Sequence, residues 1–214
     1  MSLAQYLQTL KKEIPPSVTL VAVSKSQPIE RIQEAYAADQ QIFGENRVPE
    51  LLQKYDTLPK DIMWHFIGHL QRNKVRSIIP FVQLIQSVDS FPLLQEIEKR
   101  AAEEGKIIDC LLQVKIAQEE TKFWLSFPEA EVALNEAVRF QHVHITGLMG
   151  MATNTDDTAI IRQEFCSLAQ LFQKLKREFP ALHVLSLGMS NDYQIAVEEG
   201  STMVRIGSKL FGEK

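Results

Sequence analysis

Lys25 ends a short apolar, β-branched run, Val18-Thr-Leu-Val-Ala-Val-Ser24. Such a run reads as a parallel strand buried on both faces. Ser26, Gln27 and Pro28 follow at once, the punctuation of a strand-to-helix turn. An amine is thereby placed at the carboxyl end of an early strand, where α/β folds assemble their chemistry. A lysine half-buried there loses hydration, titrates low and becomes a nucleophile able to form a Schiff base. The alternative is an ordinary lysine that carries its charge out into water.

Other strand-like runs end in equally uncommon residues. Gly44-Glu45-Asn46-Arg47, Gly68-His69-Leu70-Gln71-Arg72, Gly147-Leu148-Met149-Gly150, Gly188-Met189-Ser190-Asn191 and Arg205-Ile206-Gly207-Ser208 each close one such run. Glycine alone would be weak evidence, because turns need it anyway. Its recurrence beside polar residues at successive strand ends favours one shared site. Two of the clusters suit a phosphate. Ser190 precedes the helical pattern Asp192–Glu199 and can offer its hydroxyl or serve as a plain helix cap. Gly207-Ser208 opens a backbone nest after the last run. Arg205 can serve the site or pair with a surface carboxylate.

The elements that must position these groups alternate along the chain. Strands are expected at Thr19–Ser24, Gln41–Phe43, Met63–Ile67, Leu84–Gln86, Ile107–Val114, His144–Met149, His183–Leu187 and Thr202–Ile206. Helical patterns lie between them, among them Pro28–Ala38, Pro92–Glu104, Pro128–Phe140 and Ala159–Phe179. Proline opens three of these, at the position where its missing N–H costs least. Residues 2–13 read as a short amphipathic helix rather than a signal peptide. Eight βα alternations predict an α/β fold of the single-domain (β/α)8 TIM type spanning residues 1–214. A doubly wound open sheet is the second architecture that fits.

Composition narrows the function classes. Of the 214 residues, 45% are hydrophobic and 23% charged, enough apolar surface for one substantial core. No stretch has the apolar length of a membrane span. A net charge of −4 without a basic run argues against nucleic acid as a partner. Cys110 and Cys166 stand alone in apolar segments, as buried reduced thiols of a cytoplasmic protein do. His65 and His69 are four apart, but strand and turn residues separate them, so no metal site is expected. Neither common nucleotide-binding glycine pattern occurs.

The segments Val21-Ala-Val-Ser-Lys25, Phe43-Gly-Glu-Asn-Arg47, Trp64-His-Phe-Ile-Gly-His-Leu-Gln71, Ser87-Val-Asp89, Gly147-Leu-Met149, Leu187-Gly-Met-Ser190 and Val204-Arg-Ile-Gly207 resemble those of the pyridoxal phosphate homeostasis proteins. The resemblance spans nearly the whole chain. It implies a barrel like the N-terminal domain of alanine racemase, with pyridoxal 5′-phosphate (PLP) bound to Lys25 as a Schiff base. It also implies that Ser190, Gly207 and Ser208 hold the phosphate and that Arg205 faces the pyridine nitrogen. Asn46, His69 and Met149 match motif positions around the cofactor.

The chain departs from that pattern in places. Ser208 replaces a threonine, and Lys209 stands where a small residue is common. Phe123-Trp124 follows the Glu-Glu-Thr-Lys stretch in place of a glycine, and Thr153 replaces a frequent proline. The last two bear on how the site is covered.

Two function classes follow from the resemblance. One is a PLP carrier, which binds, stores and delivers the cofactor, with apo PLP-dependent enzymes as partners. The other is an amino-acid racemase. A distant third is a Schiff-base barrel acting on a phosphorylated sugar. Racemisation needs acid and base on opposite faces of the substrate. Racemases supply the second group as a tyrosine from a further domain of a partner chain, and here Phe211-Gly-Glu-Lys214 closes the sequence just after the last strand. Tyr6, Tyr36, Tyr55 and Tyr193 fall in no catalytic motif. A monomeric carrier, not an enzyme, is therefore expected.

Overall fold

The computed structural model describes residues 2–118 and 123–212; the Glu119–Lys122 stretch and the last two residues, Glu213 and Lys214, lie outside the described residues. Eight parallel strands form a closed barrel in sequential order: β1 Thr19–Val23, β2 Ile42–Glu45, β3 Met63–Phe66, β4 Val82–Val88, β5 Ile108–Gln113, β6 Val143–Met149, β7 Val184–Ser186 and β8 Met203–Ile206. Closure is made by β8 on β1, where Thr19 pairs with Met203 and Val21 with Arg205. The open-sheet alternative is thereby set aside.

The period of two along each strand sorts side chains into two layers. One set faces the barrel axis: Val21, Leu84, Leu111, Met149 and Met203, with Ile42 and Val184 against them. The other set faces the helices and joins the main core: Ala22, Phe43, Trp64, Phe66, Cys110, Leu148, Val204 and Ile206. Because both faces are covered, the strands read as continuous apolar runs rather than alternating ones.

The helices are α1 Leu3–Glu13, α2 Ile29–Ala37, α3 Val48–Thr57, α4 Val75–Ile78, α5 Phe91–Glu103, α6 Phe127–Ala137, α7 Thr158–Glu178, α8 Tyr193–Glu198 and α9 Ser208–Phe211. α1 starts with a capping box between Ser2 and Gln5 and buries Leu3, Leu7 and Leu10, one face at helical spacing. Pro49, Pro92 and Pro128 lie in the first turns of α3, α5 and α6. α7 is capped by Asp157 and buries Phe165, Leu168, Phe172 and Leu175 against the sheet. Gly147 answers a packing demand. A Cβ there would lie 1.8 Å from the Val184 carbonyl oxygen, so only glycine lets β6 and β7 meet in this register. Among the described residues no helix is long and apolar enough to cross a membrane.

Candidate functional site

Lys25 follows β1 directly, on the residue parity of Val21 and so on the axial side of the wall. The chain leaves the sheet at Ser24, and Ser26 turns through a left-handed conformation, φ 60°. This turn lifts Lys25 onto the carboxyl rim of the barrel, where it is exposed. Of the two sequence readings, a half-buried lysine or one carried out into water, the exposure matches the second, because the chain turns before the amine. An exposed amine at this end is open to an incoming ligand.

The phosphate-type cluster comes together across β7 and β8. The Ser190 hydroxyl oxygen accepts the backbone N–H groups of Gly207 and Lys209, each at 3.2 Å. Ser190 thus binds the nest after β8 and does not cap α8, whose first residue is Tyr193. Ser208 is exposed beside it. The sequence reading placed Gly207 and Ser208 here but missed the Lys209 N–H, because a backbone donor leaves no mark in residue type.

Arg205 shares the axial parity of Met203 and is only 3% exposed. Its Nη1 donates to the Ser186 carbonyl at 2.9 Å and to the Ser186 hydroxyl, and its Nη2 donates to the Gly150 carbonyl at 2.9 Å. The surface ion pair considered from sequence is not formed. Burial lowers this guanidinium to about 10, and the Asp192 charge pulls the other way. It therefore stays protonated at neutral pH. Behind it runs a chain of buried polar groups. The Ser186 hydroxyl donates to Gln86 Oε1 at 2.7 Å, and Gln86 Nε2 lies 2.9 Å from His65 Nδ1. Desolvation alone drives His65 down to about 3. The ring is neutral, so Gln86 donates and Nδ1 accepts. Gln86, Ser186 and the supporting role of His65 were not read from sequence. The only local signal was polar Gln86-Ser87 inside an otherwise apolar strand.

Asn46 follows β2 and is half-buried. A Cβ on Gly68 would lie 2.2 Å from the Asn46 carbonyl oxygen, so glycine is what lets the loop after β3 press against the loop after β2. His69 stands on that loop, with its side chain 42% exposed and Nδ1 2.7 Å from Asp89 Oδ2. Its ring meets Phe123, centroids 4.0 Å apart. Met149 is fully buried in the axial cluster, beneath the rim rather than on it. Phe123 therefore covers His69, and Thr153 has a bonding role a proline could not fill. Its N–H and hydroxyl both donate to Glu164 at 2.7 Å, and its hydroxyl oxygen accepts the Gln118 N–H at 3.1 Å.

Among the described residues no three His, Cys, Asp or Glu side chains group as metal ligands. Cys110 is buried, with its thiol pushed up by burial, whereas Cys166 is only half-buried on α7. A cleft of about 390 Å³ lies at the opposite end of the barrel, near Pro15, Thr19, Gln40 and Met63. It brings no phosphate-type donor set to a nucleophile.

The His65 environment predicts a pH dependence. Unfolded, the ring takes up a proton near pH 6.5; folded, it resists until about 3. Between these values the unfolded chain binds more protons, so stability falls as pH falls, by about 1.4 kcal/mol per unit. Urea unfolding at about pH 6.5 and about pH 5 should show wild type losing about 2 kcal/mol more than His65→Gln. Equal losses would contradict the assignment.

Three comparisons bear on this geometry. Residues 2–214 match the family model described as alanine racemase, N-terminal domain. A pyridoxal phosphate homeostasis protein of Aquifex aeolicus is 40% identical over 197 residues, 91% of this chain and 86% of the relative. The structure of PipY from Synechococcus elongatus, solved with PLP bound, is 38% identical, with a TM-score of 0.91 over 99% of this chain and 100% of that one. An alanine racemase of Clostridium difficile, 13% identical, shares the fold with a TM-score of 0.81 over 99% of this chain and 56% of its own length. The chain belongs to the pyridoxal phosphate homeostasis protein family, built on the alanine racemase N-terminal fold.

Proposed function

We propose that this barrel binds PLP reversibly at its carboxyl rim and serves PLP homeostasis by storing and delivering the cofactor. The observation that carries the reading is the Ser190 hydroxyl, whose oxygen is fixed by the Gly207 and Lys209 N–H groups and whose own proton remains to donate, at the same barrel end as the exposed Lys25. A hydroxyl donor held in a turn after a strand end suits a dianionic phosphate. The Ser190 hydroxyl, an exposed amine and a buried permanent cation fit PLP, which carries a phosphate, an aldehyde and a pyridine ring.

When bound, PLP supplies an aldehyde carbon that joins the Lys25 amine by a reversible C=N bond with loss of water. Ser190, Gly207 and Ser208 hold the phosphate. Arg205 faces the ring nitrogen and, remaining protonated, offers it a donor rather than an acid–base partner. Asn46, His69 and Met149 shape the surroundings. The whole of residues 1–214 acts as one such barrel, as a monomer in the cytoplasm, handing PLP to apo-enzymes.

The racemase alternative needs a second acid–base group. The tyrosines do not furnish it: Tyr36 donates to Asp61 and Tyr193 to Glu13, each at 2.7 Å, Tyr55 stacks on Phe81, and Tyr6 packs against the core. The protein should take up PLP and pass it to an apo-enzyme that depends on it, while a chiral assay shows no inversion of alanine or serine. Inversion in the range of about 1–10³ s⁻¹ typical of enzymes would overturn the carrier reading.

The phosphate assignment has a separate check. Ser190→Ala removes one charge-assisted hydrogen bond and should weaken PLP roughly ten- to hundred-fold. Binding of unphosphorylated pyridoxal, measured by the same titration, should hardly change. Equal weakening of both would return Ser190 to a merely structural role.

A further inference from the structure

A buried charge cluster lies behind the wall that carries Lys25. Glu45 is on β2 at the parity of Phe43, so it faces α3 rather than the barrel axis. Lys54 of α3 meets it there, 4% exposed. All three donors of its ammonium are used. Nζ lies 2.7 Å from the Ser24 carbonyl, 2.7 Å from Glu45 Oε1 and 2.7 Å from Glu50 Oε1. The Ser24 hydroxyl donates to Glu45 Oε1 at 2.6 Å, and Glu50 Oε1 accepts the Ser26 N–H at 2.5 Å.

These bonds share one target. Ser24 and Ser26 flank Lys25, and Lys54 binds the first directly and the second through Glu50. Lys25 is the single residue between the two anchors. The second anchor holds Ser26 at φ 60°, a conformation that a residue with a side chain seldom adopts unaided.

Stability does not account for the cluster. A buried ion pair loses in desolvation much of what it gains in attraction, and apolar residues of like volume often serve as well. Here one carboxylate oxygen, Glu45 Oε2, is buried with no hydrogen-bond partner among the described residues. Burial accordingly raises the Glu45 carboxyl, and Lys54 and Ser24 only partly offset this. What the arrangement supplies is orientation.

We propose that Lys54, with Glu45 and Glu50 as its counter-charges, is the positioning residue of Lys25: it clamps both ends of the Ser24–Ser26 turn and so sets where the Lys25 amine meets an aldehyde. The proposal rests on the PLP reading above and goes beyond it, since none of the three residues belongs to the ligand-facing set. Glu50→Ala cuts the anchor on Ser26 and leaves the buried Glu45–Lys54 pair intact. Lys54→Met removes the whole clamp.

The test uses two probes. Pyridoxal 5′-phosphate reports capture on Lys25, trapped by borohydride at timed intervals and read as peptide mass. Pyridoxine 5′-phosphate has the ring and phosphate but no aldehyde, and its affinity is read by equilibrium dialysis. Glu50→Ala should slow capture by about ten- to hundred-fold, the scale expected for a misplaced reactive group. Its affinity for pyridoxine 5′-phosphate should stay within about twofold of wild type. Glu50→Gln keeps an acceptor for the Ser26 N–H and should recover most of the capture rate. Lys54→Met, where it folds, should lose more than Glu50→Ala; Glu50→Ala decides the matter where it does not.

Parallel loss on both probes, or unchanged capture in Glu50→Ala, overturns the clamp. A wild-type protein that captures nothing on Lys25 has a different mark, because it sinks the PLP reading and the clamp with it.

Discussion

Arg205 puts a full positive charge inside a barrel whose axial neighbours are Met149, Met203, Leu84 and Leu111. A guanidinium taken out of water must find acceptors or be expelled. The axial residues around it follow from this demand. Two backbone carbonyls and one hydroxyl accept from it, and that hydroxyl needs an acceptor of its own, which Gln86 provides. Gln86 then needs an acceptor for its amide, and a neutral imidazole at His65 supplies one. Burial keeps that imidazole neutral, since desolvation lowers it to about 3, so Nδ1 stays an acceptor. The chain of partners spans β3, β4, β7 and β8, so one buried cation ties together strands from both halves of the sequence.

The rim inherits order from that floor. Gly150, the residue after β6, and Ser186, the last of β7, accept from Arg205 where the chain leaves the sheet for the loops that follow. Ser190 follows on the second of these loops and gathers the nest after β8. On the adjoining strand β1, which pairs with β8, the Lys54 cluster steadies the turn of Lys25 from behind the wall. An exposed amine is thus held on a fixed turn, beside the Ser190 hydroxyl fixed at the neighbouring strand ends. Binding and release at such a place ask for no second acid–base group, which is the chemical difference between a carrier and a racemase.

How much of this was readable depended on distance along the chain. Strand positions were legible because burial on both faces leaves continuous apolar runs, as at Val18–Val23. β4 was read too short, as Leu84–Gln86: it runs Val82–Val88, with Gln86 and Ser87 inside it. Their partners are the reason. Gln86 bonds to Ser186, 100 residues away, and Ser87 donates to the Gly68 carbonyl. No local pattern announces a partner at that range. Lys25 was placed at the right strand end with its burial open between two readings, because the positive φ of Ser26 is a backbone choice that serine does not advertise. Lys54 was invisible for a similar reason. On α3 it reads as one more charged helix residue, and only the register of β2 against the helix turns it inward.

The central claim is that Lys25, and no other of the 14 lysines, takes the cofactor covalently. The direct test is borohydride reduction of the PLP-loaded protein followed by peptide mass mapping. The account predicts one pyridoxyl phosphate adduct, on the peptide that contains Lys25, and its loss in Lys25→Ala. An adduct on another lysine, or none under saturating PLP, would contradict it.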